Sequence, residues 1–250
     1  MGRRPRAFGD GIYHLGSHGS DIRHLFLEDP DRVTFLQRLA LIVQRFELAL
    51  TAYTLMGNHY HLILATPDAR ISQAIQQLHG WYSRRHNKTH ARTAHLFRAH
   101  FFARELRDDA DLLTTSRYLA HNPVAAGLSE TPFAWPWSSA AATAALSRPM
   151  IPLDTSPIQA ALSDSPDWQT RYRTFIDQPL RPDEREQLGA TDKPGWLSAT
   201  APSPRFTPAL QAGSTSAPRP QTPDSVLRGP SRYRHLAHSR CNSLLTPPRV

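Results

Sequence analysis

The run "LALTAYTLMGNHYHLILAT", Leu48 to Thr66, constrains the fold more than any other stretch of this chain. It reads as two β-like ribbons, "LALTAYTLMG" and "HYHLILAT", meeting at Gly57-Asn58, a dipeptide suited to a hairpin turn. An earlier ribbon, "GIYHLGSHG", ends in a glycine turn. Between them lies "DPDRVTFLQRLALIVQRFE", in which Val33, Leu36, Leu39, Ile42, Val43 and Phe46 recur at helical spacing behind an acidic first turn. A second helix is predicted over "ARISQAIQQLHGWYSRRHNKTH", a short strand over "FFARELR", and a third helix over "DADLLTTSRYLAHNP", which Pro123 should end.

The order β-α-β-β-α-β-α predicts an α+β fold: an antiparallel sheet with helices packed on one face, close to the split βαβ motif. This unit spans residues 8–148. A small helical extension follows over 149–192, anchored by Trp168, Tyr172 and Phe175. Over 193–250 Pro, Ser, Thr, Arg and Ala dominate and periodicity vanishes, so a disordered basic tail is expected there.

Charge narrows the partner. Lys and Arg total 29 against 21 acids, a net charge of +8, which favours a polyanion. No apolar run is long enough to span a membrane, and the basic start "MGRRPRAFGDG" has no apolar stretch behind it, so neither a span nor a secretory signal is expected. The single cysteine, Cys241, allows no internal disulfide. A cytoplasmic protein that touches nucleic acid is the simplest class.

His59 and His61 interrupt the second ribbon two residues apart, so they share one face while Tyr60 and Leu62 point to the other. Spacing alone allows either a metal pincer or two solvated histidines. "SRYLAHNP" supplies what a pincer lacks. Tyr118 and Asn122 lie four residues apart, hence on one helical face, with Asn122 expected at the helix end before Pro123. A tyrosine one turn from a metal ligand can attack a phosphodiester while the metal withdraws charge from the phosphate.

The blocks "MGNHYHLIL", "YLAHNPVAAGL" and "WPWSSA", in that order, resemble the signatures of HUH single-tyrosine transposases, especially the REP-associated tyrosine transposases. The resemblance covers roughly residues 8–142. It implies a ferredoxin-like, RRM-like HUH endonuclease core and metal-dependent nicking and transfer of single-stranded DNA through a 5′-phosphotyrosine link. Tyr118 matches the nucleophile, His59 and His61 the metal pair, and Asn122 the third ligand. The implied ion is Mg²⁺ or Mn²⁺, the implied partner single-stranded or hairpin DNA, and the implied setting the bacterial nucleoid. One chain could hold a complete site, or two chains of a homodimer could exchange tyrosine helices. The chain departs from the family pattern at "AHLFRAHF", with Ala94 and His100, and at "GSHG", where His18 replaces an arginine.

Other readings stay open at this level. Tyr82 is a rival nucleophile without an amide or acid one turn away, and His121 is an alternative ligand to Asn122. Arg84, Arg85, Lys88, Arg92, Arg98, Arg104 and Arg107, interleaved with Trp81, Phe97 and Phe101, suit a groove for single-stranded DNA, with Arg84, Arg85, Lys88, Arg98 and Arg104 as the main contacts. A catalytically silent DNA- or RNA-binding domain, or a phosphodiesterase that uses water, would need only part of this set.

Overall fold

The computed structural model describes residues 8–20, 24–98 and 101–189. The elements expected up to Asn122 form in the expected order: β1 (Gly11–His18), α1 (Asp29–Arg45), β2 (Ala49–Leu55), β3 (His59–Thr66), α2 (Ile71–Thr89), β4 (Phe102–Leu106) and α3 (Asp109–Ala125). The predicted hairpin closes with Met56 N–H donating to the His59 carbonyl at 2.9 Å, leaving Gly57 and Asn58 as the loop. The strands pair antiparallel in the order β2-β3-β1-β4. This α+β architecture is the split βαβ arrangement that the element order implied. The tail over 193–250 and His100 lie outside the described residues.

The helices cover both faces of the sheet, and this corrects the expectation of a single covered face. On one face Leu15, Tyr53, Tyr60, Leu62 and Leu64 meet Phe35, Leu36 and Leu39 of α1 and Ile75, Leu78 and Tyr82 of α2. On the other, Ile12, Ala52, Ile63 and Leu106 meet Leu112, Leu113 and Leu119 of α3. The helices α5 (Ser156–Ala161), α6 (Trp168–Asp177) and α7 (Pro182–Gly189) follow a short α4 (Ala140–Thr143) and add Ile158, Tyr172, Ile176 and Leu188 to that second cluster. The reason lies in β3: "LILA" is apolar at successive positions, so both of its faces need cover.

A bulge in β2 sets which of its residues serve each face. Leu50 pairs with Leu64 but Ala52 pairs with Ile63, so Thr51 is an extra residue on β2. Beyond it Tyr53 and Leu55 turn to α1 and α2, while Ala52 and Thr54 turn to α3.

α3 starts at Asp108, whose carboxylate accepts from Asp111 N–H at 2.7 Å. Pro123 does not end the helix as expected; it lies inside, and the helix runs to Ala125. A proline in the last turn leaves the carbonyl four residues back without its helical donor. That carbonyl is Leu119's, and the Thr54 hydroxyl of β2 donates to it at 2.9 Å. The missing bond is thus replaced by one that ties α3 to the sheet. Gly127, at φ 69°, then turns the chain away, a conformation that suits glycine.

Beneath α2, Tyr60 Oη and His79 Nε2 lie 2.6 Å apart, and His79 stacks on Phe97 at 3.8 Å. Burial pulls the His79 imidazole from 6.5 down to about 3. Between those values the unfolded chain holds a proton that the folded chain lacks, so stability falls as pH drops through this window. We expect the melting temperature to decline from pH 6.5 toward pH 4. His79→Gln, which keeps a partner for the Tyr60 hydroxyl, should flatten part of that decline in a thermal melt series.

Candidate active site

The site forms on the α3 face of the sheet, where three strands and one helix converge. His59 and His61 both point to that face, as alternation requires, and α3 lays Tyr118 and Asn122 over them. His59 Nε2 is 3.1 Å from Asn122 Oδ1, and His61 Nε2 is 3.5 Å from Asn122 Nδ2. The Tyr118 ring stands edge-on to His61, with centroids 5.6 Å apart. All four expected residues are therefore brought together from segments about sixty positions apart in sequence.

Each imidazole is also held from behind. His59 Nδ1 lies 2.8 Å from Asn58 Oδ1, and His61 Nδ1 lies 3.1 Å from His14 Nε2. Both rings thus turn Nε2 toward Asn122, the arrangement typical of ligating histidines fixed by outer partners. His14 was missed in the sequence because it belongs to another strand. Register puts it on a diagonal, with His61 opposite Gly16 and His14 opposite Ile63. Gly16 matters for space: a Cβ there would lie 2.8 Å from the Tyr60 carbonyl oxygen and would collide with the Phe102 ring. That ring packs on His14 and His61, with centroids 4.9 and 5.8 Å away. His18 stacks on His59, to which it is directly paired.

The donor set fits a cation. With the amides as they stand, His59 faces an oxygen at each ring nitrogen, and a neutral imidazole can donate to only one of them. The remaining meeting sets a ring lone pair against the Asn122 oxygen, which a positive ion between them would resolve. Two imidazoles and one amide oxygen suit Mn²⁺ better than Mg²⁺, which prefers oxygen alone.

Beside Tyr118 a cavity of about 260 Å³ opens, lined by Tyr118, His121, Asn122, Leu180 and Arg185. Leu180, in the link between α6 and α7, and Arg185 of α7 come from the C-terminal segment, and no local signal marked them. A buried ion pair positions α7: Arg117 Nη2 donates to both Glu184 oxygens at 2.8 Å, and the guanidinium lies over Phe175 at 4.5 Å.

The alternatives separate cleanly. Tyr82 is buried in the other layer, and its hydroxyl donates to the Leu25 carbonyl at 2.8 Å, so it packs and does not face the histidines. His121 Nε2 lies 2.7 Å from the Ile176 carbonyl, which ties α3 to α6. Arg104 was expected to contact DNA, but it donates to both Asp111 oxygens at 2.7 and 2.8 Å and to Thr115 at 2.8 Å. It orients α3 against β4. Phe97, expected to stack on bases, is in the core against His79. Arg84, Arg85 and Lys88 are exposed on α2, in the layer opposite the histidines. Arg98 lies nearer the site, its backbone N–H donating to the His18 carbonyl at 2.9 Å.

The family model for IS200-like transposases matches residues 13–122, from β1 to Asn122. Over these residues the chain is similar to the IS200-like transposase family. Among solved structures, the chain is similar to a REP-associated tyrosine transposase bound to a REP hairpin, at 16% identity and a TM-score of 0.51. That match covers 62% of this chain and 93% of the other. A Deinococcus radiodurans r1 protein solved as a candidate transposase matches at 20% identity and a TM-score of 0.34, over 47% of this chain and 95% of its own. Among curated proteins none matches this chain significantly. No described helix is long and apolar enough to cross a membrane.

His14 gives a direct check on the outer support. His14→Phe keeps a ring but removes the partner of His61 Nδ1. If DNA cleavage depends on an ion here, the Mn²⁺ concentration for half-maximal cleavage should rise roughly 10–100-fold, with activity recovering at saturating metal. An unchanged metal requirement would make His14 a packing residue only.

Proposed function

We propose that this chain is a transposase that nicks single-stranded DNA beside a hairpin and transfers the cut strand through a covalent link to Tyr118. The observation that carries the reading is the convergence of Tyr118 with His59, His61 and Asn122 on one face of the sheet. His59 Nε2, His61 Nε2 and Asn122 Oδ1 would hold a Mn²⁺ or Mg²⁺ ion. Bound there, the ion draws charge from the scissile phosphate and stabilises charge on the oxygens around it.

In the nicking step the Tyr118 oxygen attacks phosphorus and its proton passes to solvent. The bond from phosphorus to the 3′-oxygen breaks, and that oxygen leaves as a free 3′-hydroxyl once it takes up a proton. The product is a 5′-phosphotyrosine ester. A 3′-hydroxyl from another end can attack this ester and release Tyr118, so one phosphodiester is exchanged for another without an external energy source. The largely buried tyrosine ring, braced by His14 and His61, gives the attacking oxygen little freedom. Arg185, at the cavity, supplies a positive charge for the phosphate backbone. Hairpin DNA is the substrate class we favour, since the REP-associated relative was solved with one.

Incubating the purified chain with hairpin-flanked single-stranded DNA labelled on the 3′ fragment tests this. A labelled band that survives denaturant, needs Mn²⁺ or Mg²⁺ and disappears with EDTA is the expected result. A second reading, a DNA-binding protein without chemistry, draws on Arg84, Arg85 and Lys88 standing exposed in the other layer. Salt-sensitive binding with no covalent band under any metal would favour it.

A further inference from the structure

A second cluster of metal-ligating side chains lies in the opposite layer, between α1 and α2. Asp31 sits in the first turn of α1, and His86 and His90 sit one turn apart at the end of α2. One donor atom from each of the three residues lies within 4.8 Å of the others. His90 Nε2 is 2.9 Å from Asp31 Oδ1 and 3.1 Å from Oδ2, and the two imidazole centroids are 4.5 Å apart.

The decisive residue is His86. It is 1% exposed, yet neither of its ring nitrogens has a hydrogen-bond partner among the described residues. A buried imidazole with both nitrogens idle is costly, and such a group usually marks a bound ion or an ordered water. A cavity of about 50 Å³ adjoins it, lined by Asp31, Thr34, Tyr82, Arg85 and His86 among others.

The other groups facing this space limit what it can hold. The Tyr82 hydroxyl is already bonded to the Leu25 carbonyl. Asp31 Oδ2 accepts from the backbone N–H groups of Leu27 and Glu28 at 2.9 and 3.3 Å, which fixes the carboxylate and aims its other oxygen at His90. Histidines at i and i+4 project from one helical face, so their nitrogens can meet on one ion. A tetrahedral ion with ligand bonds of about 2.1 Å needs donors about 3.4 Å apart, so the His90–Asp31 pair would have to open only slightly.

We propose that Asp31, His86 and His90 form a binding site for a late-transition divalent cation of the zinc type. Two imidazoles and one carboxylate favour such an ion over Mg²⁺. The site is separate from the proposed catalytic constellation, lying beyond the sheet from it. The ion would tie the start of α1 to the end of α2, the helix that carries Arg84, Arg85 and Lys88. Its role is structural: it holds the layer behind the catalytic face.

The test uses the full chain carrying His59→Ala and His61→Ala, so that the other histidine pair cannot contribute. After removal of metal with a chelator, Zn²⁺ is titrated by calorimetry and the melting temperature is read with and without one equivalent. One equivalent should bind and raise the melting temperature, while Mg²⁺ at the same concentration should do neither. Adding His86→Phe, which fills the same space, should abolish both effects. His90→Gln, at a partly exposed position, should weaken Zn²⁺ binding at least 10-fold even if the His86 variant fails to fold. Absence of Zn²⁺ binding to the parent, or equal binding in the His90 variant, would overturn the site and leave a trapped water beside His86. Neither outcome touches the covalent adduct assay, so the two readings fail separately.

Discussion

Tyr118→Phe should leave a folded, DNA-binding protein that forms no covalent adduct. The substitution keeps the ring that packs against His61 and His14 and removes only the oxygen. Removing a single hydroxyl costs no more than about the 0.5–1.5 kcal/mol of one hydrogen bond, so the melting temperature should move by only a few degrees. Cleavage, in contrast, should fall on the order of 10⁴-fold or more, as expected when the attacking atom itself is deleted. Tyr82→Phe is the matched control. It removes the bond to the Leu25 carbonyl in the opposite layer, so it should reduce stability and still form the adduct. Mass spectrometry of the trapped peptide decides between them, and a nucleotide on the Tyr82 peptide would overturn the assignment.

Removing the histidine pair should have the second largest effect, and its two halves should differ. We expect His59→Ala and His61→Ala each to abolish metal-dependent cleavage. Were both ligands on an open strand face, their loss would spare the fold. The structure supports this for half-buried His59 only. His61 has no exposed surface, and it packs among His14, Phe102 and Tyr118. His61→Ala therefore leaves a cavity and takes the partner from His14, with a cost of about 2–4 kcal/mol. Chemical denaturation should show a clear loss for His61→Ala and little change for His59→Ala. Equal stability of the two variants would contradict this packing difference, and cleavage retained in the double variant would end the metal-pincer reading.

Local patterns were enough for the element order, the hairpin at Gly57-Asn58, and the placing of His59 with His61 and of Tyr118 with Asn122. Those features depend on periods of two and of three to four residues, and a strand or helix imposes such periods wherever it forms. What lay beyond reach was everything decided between elements. Which residues of β2 serve each face depends on the bulge at Thr51, a register event with no composition of its own. Pro123 reads as a stop signal, yet the helix passes through it, because a threonine on β2 replaces the donor that proline lacks. Arg104 looked like a free cation until Asp111 and Thr115 closed on it. His14 behind His61, Arg185 beside Tyr118, and Asp31 between His86 and His90 are all meetings of residues far apart along the chain. The physical reason is common to them. Periodicity states which way a side chain points from its own element, whereas its partner is chosen only when pairing register and helix packing bring a second element to it.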